Sequence, residues 1–117
     1  MTIKRTKVGS RMSQVVVHNN VAYVAGQVAR NAPGESAAEQ TRDILDNMDN
    51  LLGEVGSDKS KLLSATIWLA SMSDFNEMNE VWDAWVVEGE TPARACVEAK
   101  LAAPQFVVEI AVTAAVD

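Results

Sequence analysis

The chain has 117 residues, the length of one ordinary domain, and its composition of 48% hydrophobic and 22% charged residues is typical of a globular protein. A formal net charge of −6 argues against a nucleic-acid partner, because proteins that bind nucleic acid gain much of their affinity by neutralising phosphates. A single cysteine excludes an intramolecular disulfide and most cysteine-based zinc sites.

The first part of the sequence predicts three β-strands. An edge strand is expected over residues 2–8, where alternating basic side chains would face water. The β-rich runs Gln14–Val17 and Val21–Gln27 flank a turn-forming cluster, so they predict a hairpin. His18, the only histidine, begins that cluster and is therefore expected in a turn rather than at a catalytic centre.

The middle of the sequence predicts two amphipathic helices separated by a strand. Ser36 and Glu39 have the spacing of a capping box, and Gly56 supplies a stop for the first helix. The second helix is expected to begin near Ser73 or Asp74 and to end at Gly89. Its buried stripe would consist of Phe75, Met78, Val81, Trp82 and Trp85. The strand between the helices, 62–70, looks apolar on both faces, with one face formed by Leu63, Ala65, Ile67 and Leu69.

Two further strands are expected over residues 93–99 and 105–116. The predicted order is β-β-β-α-β-α-β-β, in one domain over residues 1–117. This order predicts an α+β protein in which both helices pack on one face of a single mixed sheet.

Two charged residues in the last strands lie among small or apolar neighbours. Arg94 shares one face of its strand with Cys96, and Glu109 lies opposite the apolar face of the last strand. A half-apolar second sheet face on a small domain predicts a partner surface, most simply a second copy of the chain. Arg94 could there bind a carboxylate while Glu109 orients a water. The alternative is a structural salt bridge between Arg94 and Glu109 on adjacent strands.

Several segments resemble the RidA/YjgF family. Pro92-Ala93-Arg94-Ala95-Cys96-Val97-Glu98, followed by Val108-Glu109-Ile110, is similar to its C-terminal signature. Val24-Ala25-Gly26-Gln27 resembles its Gly-Gln strand end, and the segment 75–82 resembles its second helix, including an asparagine at Asn79. The segments Asp-Ala-Trp-Val-Val and Thr-Ile-Trp-Leu-Ala look closer still to its YoaB-type branch.

The resemblance implies a chorismate-mutase-like fold and a homotrimer with clefts between subunits, without a metal or organic cofactor. It implies hydrolysis of reactive imines and enamines, such as 2-aminoacrylate, to 2-keto acids and ammonia. By the same resemblance, Arg94 would hold the substrate carboxylate and Glu109 would position the attacking water. The backbone at Cys96 and the Gly26-Gln27 strand end would line the cleft, and Asn79 would support it.

A second hypothesis is a non-catalytic module that binds or senses small carboxylates, such as 2-keto acids, in the same cleft. It is favoured by Ala25, where the best-known branch of the family has a serine, and by the lack of that branch's tyrosine near Met12. No apolar run approaches the about 20 residues of a membrane span, and none of signal-peptide type follows the basic start. A cytoplasmic protein without a membrane or nucleic-acid partner is expected.

Overall fold

A computed structural model describes residues 2–117. The strands are β1 (Lys4–Val8), β2 (Ser13–His18), β3 (Val21–Val28), β4 (Leu62–Leu69), β5 (Ala93–Glu98) and β6 (Val108–Ala115), and the helices are α1 (Ala37–Glu54) and α2 (Phe75–Trp85). The predicted order of strands and helices is confirmed. Short 3-10 turns precede β4 and α2.

All six strands form one sheet in the order β1-β2-β3-β6-β4-β5. The β4–β5 pair is parallel because α2 provides the crossover between these strands, and the other pairs are antiparallel. The mixed sheet of the prediction is therefore confirmed. Strand β4 separates β5 from β6, although β5 and β6 follow one another in the sequence.

The core lies between the two helices and one face of the sheet, which we call the helix-covered face. Along β6 buried and half-buried residues alternate strictly, and Val108, Ile110 and Val112 point to the core. Each fully buried side chain of this size contributes about 1.5–3 kcal/mol relative to an exposed one. The helices add Ile44, Leu45, Met48, Leu51 and Leu52 from α1, and Met78, Trp82 and Trp85 from α2. We call the other side of the sheet the open face.

The hairpin between β2 and β3 is confirmed, with a shift of one residue. Asn19 and Asn20 have φ angles of 50° and 63°, the left-handed pair that a tight type I′ turn requires. His18 is the last residue of β2, where it pairs with Val21, so its predicted place in the turn is wrong.

The helix ends follow the predicted signals in part. The Ser36 hydroxyl accepts a hydrogen bond from the Glu39 amide at 3.2 Å, while the Glu39 carboxylate pairs with Arg42 instead of closing the capping box. Helix α2 begins at Phe75 and its last residue is Trp85, four residues before the glycine that was expected to end it. None of the helices among residues 2–117 combines the length and apolar character that crossing a bilayer requires.

An irregularity in β4 changes which leucine joins the core. The pairing of β4 with β6 shifts between Leu62 and Ser64, and this shift interrupts the alternation of side chains. As a result Leu62 is buried, whereas Leu63 is 47% exposed. The prediction that Leu63 lies on the same side of the strand as Ala65 is wrong for this reason.

Candidate functional site

Arg94 lies on the helix-covered face of the edge strand β5. It pairs with Ala65 of β4, and Cys96 pairs with Ile67. Both β4 residues are buried under the helices, so the side chains of Arg94 and Cys96 point to the same side. Because β5 forms the edge of the sheet, the Arg94 side chain is nevertheless exposed.

The Arg94 guanidinium is held by three residues of α2. Its Nη1 donates a hydrogen bond to Oδ1 of Asn79 at 2.8 Å. Its Cζ lies 5.4 Å from the ring centroid of Trp82 and 5.9 Å from that of Phe75. Within residues 2–117 no carboxylate lies within ion-pair distance of it. The side chain is therefore oriented while its positive charge stays available to a ligand.

Glu109 lies on the open face, in the middle of the sheet. It pairs with Trp68 on one side and Val28 on the other, and it is half-buried. Burial raises the pKa of the Glu109 carboxyl above its ordinary value, because a partly dry environment penalises the charged form. In the described part of the chain no hydrogen-bond donor or cation contacts this carboxylate.

A β-bulge brings the Glu109 carboxylate against Gly26. The pairing of β3 with β6 shifts between Val24 and Gln27, so Ala25 and Gly26 together face one residue of β6. A Cβ atom added at Gly26 would collide with Oε2 of Glu109 and lie 3.1 Å from its Cδ. Glycine is therefore what allows the carboxylate to rest on the backbone of the bulge.

Gly26→Ala is expected to displace the Glu109 carboxylate and to leave the fold intact, because the atom in the way is the end of a flexible side chain. Any turnover that depends on Glu109 should fall, while the melting temperature changes little. Gly53→Ala is the matched control, since nothing lies within 4 Å of a Cβ at that helical position. Equal turnover in the two variants would show that the position of the carboxylate is unimportant.

The side chain of Gln27 points away from Glu109. It is 2% exposed, donates to Oε1 of Gln14 at 2.8 Å and to the Ala25 carbonyl at 2.9 Å, and accepts from Asn47 at 2.9 Å. Its hydrogen bonds thus pin the bulge from the helix-covered side. Only the backbone of Gln27 can therefore lie beside Glu109. The cleft-lining role expected of Gln27 is thus restricted to its main-chain atoms.

Cys96 is half-buried beside Arg94. Burial raises the pKa of its thiol, and the nearby Arg94 charge offsets this effect only in part. The thiol form of Cys96 therefore predominates. Cys96 is better described as a small side chain that lines the surface than as a nucleophile.

Arg94 and Glu109 lie on opposite faces of the sheet. The strand β4 runs between them, so they do not form the salt bridge that was the structural alternative, and that alternative is wrong. The expectation that both point to the same second face is also wrong. We call Arg94 with Asn79 and Cys96 the guanidinium half, and Glu109 with Gly26 the carboxylate half.

Two cavities formed by residues 2–117 lie apart from both halves. A cavity of about 700 Å³ lies under the loop after β5 and includes Glu98, Leu101 and Phe106 in its lining. A polar cavity of about 200 Å³ lies beside Gln27 and Asn47. Neither cavity is lined by Arg94 or Glu109. The open face meanwhile carries uncovered apolar side chains, with Tyr23 50% and Val97 47% exposed.

Comparison with known proteins identifies the family. The sequence profile described as Endoribonuclease L-PSP matches residues 2–116. The chain belongs to this family. It is 47% identical over 116 residues to the RutC family protein YoaB of Escherichia coli K12, covering 99% of this chain and 100% of YoaB. It is also 47% identical over 114 residues to a RutC family protein of Haemophilus influenzae, covering 97% of this chain and 98% of that protein.

A solved structure has the same fold. The crystal structure of NMB1025 from Neisseria meningitidis, a member of the YjgF protein family, superimposes with a TM-score of 0.96 at 50% identity and covers 100% of this chain and 97% of that one. The resemblance to the YjgF family and to its YoaB-type branch, read from the sequence motifs, is thereby confirmed.

The sequence did not reveal that Phe75 and Trp82 contact Arg94. Helical periodicity predicts both in the buried stripe of α2, which is correct for Trp82. The available signal was their spacing: Phe75, Asn79 and Trp82 lie at i, i+4 and i+7, so they share one side of the helix. The crossover that makes β4 and β5 parallel places this side beside β5.

Proposed function

We propose that the protein is an imine/enamine deaminase that hydrolyses small 2-imino acids to 2-keto acids and ammonia, as a cytoplasmic homotrimer. The observation that carries this proposal is the environment of two charged side chains, Arg94 and Glu109. Among residues 2–117, Arg94 is oriented without an ion-pair partner, and Glu109 is partly desolvated without a hydrogen-bond or ion-pair partner. Membership in the family and the close similarity to YoaB are consistent with it.

The site is proposed to form between copies of the chain. Arg94 and Glu109 cannot meet within one chain because the sheet separates them, but the guanidinium half of one copy can face the carboxylate half of the next. The uncovered Tyr23 and Val97 on the open face supply apolar area for such a contact. Closed symmetry then repeats the same site at each interface.

The guanidinium half recognises the carboxylate of the substrate. Asn79 occupies Nη1 of Arg94, which leaves donors on Nε and Nη2 along one edge of the guanidinium. Two parallel hydrogen bonds from that edge match the two oxygens of a carboxylate. This contact fixes the substrate so that its imine carbon points toward the carboxylate half.

The carboxylate half supplies the proton transfers. Ionised Glu109 accepts a proton from a bound water while the water oxygen bonds to the carbon of the protonated imine and the carbon–nitrogen π electrons move to the nitrogen. This gives a neutral tetrahedral carbinolamine. Glu109 then returns its proton to the nitrogen and accepts the hydroxyl proton as the carbonyl forms, the carbon–nitrogen bond breaks, and ammonia leaves a 2-keto acid. A net charge of −6 argues against the polyanion RNA as the substrate, although the family profile is described as Endoribonuclease L-PSP.

A second candidate is the non-catalytic binding of 2-keto acids. The observation in its favour is that the guanidinium half is complete within one chain and needs no contribution from Glu109. This candidate predicts binding of pyruvate or 2-oxobutanoate that depends on Arg94, without any turnover of imines.

The test is the hydrolysis of a freshly formed imine. An amino-acid oxidase generates 2-iminopropanoate or 2-iminobutanoate in place, and the release of ammonia and keto acid is followed with and without purified protein. The proposal expects a faster release that saturates with substrate, and a trimer mass by light scattering. An unchanged rate with intact keto-acid binding would support the binding module, and a monomer at micromolar concentration would contradict the shared site.

A further inference from the structure

The Arg94 side chain starts from an edge strand, where little backbone surrounds it. A free arginine side chain has many rotamers, and the loss of this rotamer entropy opposes any binding that fixes the side chain. In this chain the guanidinium is already fixed, since it contacts the rings of Trp82 and Phe75 and the amide of Asn79. These contacts differ in how strongly they determine the orientation of the guanidinium.

The two aromatic rings differ in burial. Trp82 is 4% exposed and lies in the core cluster, whereas Phe75 is half-buried at the start of α2. The attraction between a cation and an aromatic face is stronger for tryptophan than for phenylalanine, and stronger where water is excluded. The Trp82 ring, whose centroid is also the closer one to Cζ, therefore supplies the firmer support.

The directions of the contacts complement each other. Asn79 binds the guanidinium in its plane at Nη1, and the rings approach from α2. One in-plane bond alone allows the guanidinium to rotate about it, and ring contacts alone allow it to slide. Together they restrict the guanidinium more than either contact does alone, and they leave the edge formed by Nε and Nη2 outside the hydrogen bond to Asn79.

We propose that Trp82, assisted by Phe75, is a positioning residue that holds the Arg94 guanidinium in its carboxylate-binding orientation. This inference rests on the proposed function for the nature of the ligand. The aromatic support does not touch the reacting atoms. Because a carboxylate is bound equally in the ground state and the transition state, loss of the support should raise KM and leave kcat nearly unchanged.

The experiment measures pyruvate binding by calorimetry in Trp82→Leu, Trp82→Tyr and Trp85→Leu. Trp85 is the matched control: it is a buried tryptophan on the same helix, 8% exposed, whose ring centroid lies 5.4 Å from that of Trp82 but whose ring contacts Lys59 instead of Arg94, and whose indole nitrogen donates to Asp49. We expect binding about tenfold weaker in Trp82→Leu, near wild type in Trp85→Leu, and largely retained in Trp82→Tyr, which keeps an aromatic face. Equal weakening in the two leucine variants, or none in Trp82→Leu, would overturn the proposal.

A second measurement needs no ligand, so it tests the proposal even if one of the leucine variants does not fold. The NMR signal of the Arg94 Nε–H in the free protein should be shifted by the ring currents of Trp82 and Phe75, and Phe75→Leu should reduce this shift. A signal at the position of a free arginine would refute the aromatic support. A shifted signal in a wild-type protein that binds no 2-keto acid would instead refute the proposed function and, with it, the role of the support in binding.

Discussion

Arg94→Ala is expected to abolish both keto-acid binding and imine hydrolysis. Each hydrogen bond to a charged group contributes about 1.5–3 kcal/mol, so losing a two-bond contact should lower kcat/KM by about 100-fold or more. The fold should survive, because the side chain is exposed and forms no ion pair within residues 2–117. Calorimetry, steady-state kinetics and thermal melting of the same preparation measure the three effects.

Arg94→Lys provides the control for charge. Lysine keeps the positive charge but cannot present two parallel N–H donors, so it should recover little of the binding. Substantial binding by the lysine variant would show that charge alone is recognised. A fall in melting temperature that accounts for the loss of activity would instead assign Arg94 a purely structural role.

Glu109→Gln is expected to reduce kcat by about 100- to 10,000-fold, the usual contribution of a positioned acid or base, while binding of the 2-keto acid persists. Glutamine keeps the shape of the side chain and cannot accept the proton of the water. Rapid-quench or continuous assays of ammonia release, together with calorimetry, separate the two effects.

The pH profile follows from the same residue. Glu109 acts as a base only when ionised, so wild-type activity should fall as the pH drops through its pKa. Burial raises this pKa, which moves the fall to higher pH than for an ordinary glutamate. Glu98→Gln is a matched control, since this carboxylate on β5 accepts from the Met72 amide and lies outside both halves. If Glu98→Gln and Glu109→Gln lost equal activity, Glu109 would have no special role.

Periodicity predicted most of the fold. Capping and stop signals around α1 and the alternation of residues along β6 depend on local sequence, so they could be read directly. The family motifs likewise indicated Arg94 and Glu109. The two sheet irregularities could not be read in the same way, because a bulge arises from pairing with another strand. For this reason the inward position of Leu62 and the orientation of Gln27 were missed.

The relation between Arg94 and Glu109 depends on strand order. Strands β5 and β6 are consecutive in the sequence, which predicts that they pair with each other, but β4 lies between them in the sheet. Parallel pairing with β4 then sets Arg94 toward the helices, while Glu109 points to the open face. Local patterns determine which residues share a face of one strand. They do not determine how the faces of distant strands are matched.

The central claim is that one site takes Arg94 from one copy of the chain and Glu109 from another. Arg94→Ala and Glu109→Gln, each inactive alone, are mixed in equal amounts, unfolded and refolded together, and assayed for imine hydrolysis. Random assembly should give about a quarter of the interfaces both intact residues, so about a quarter of wild-type activity is expected to return. A mixture of verified mixed oligomers that stays as inactive as its two components would contradict the claim.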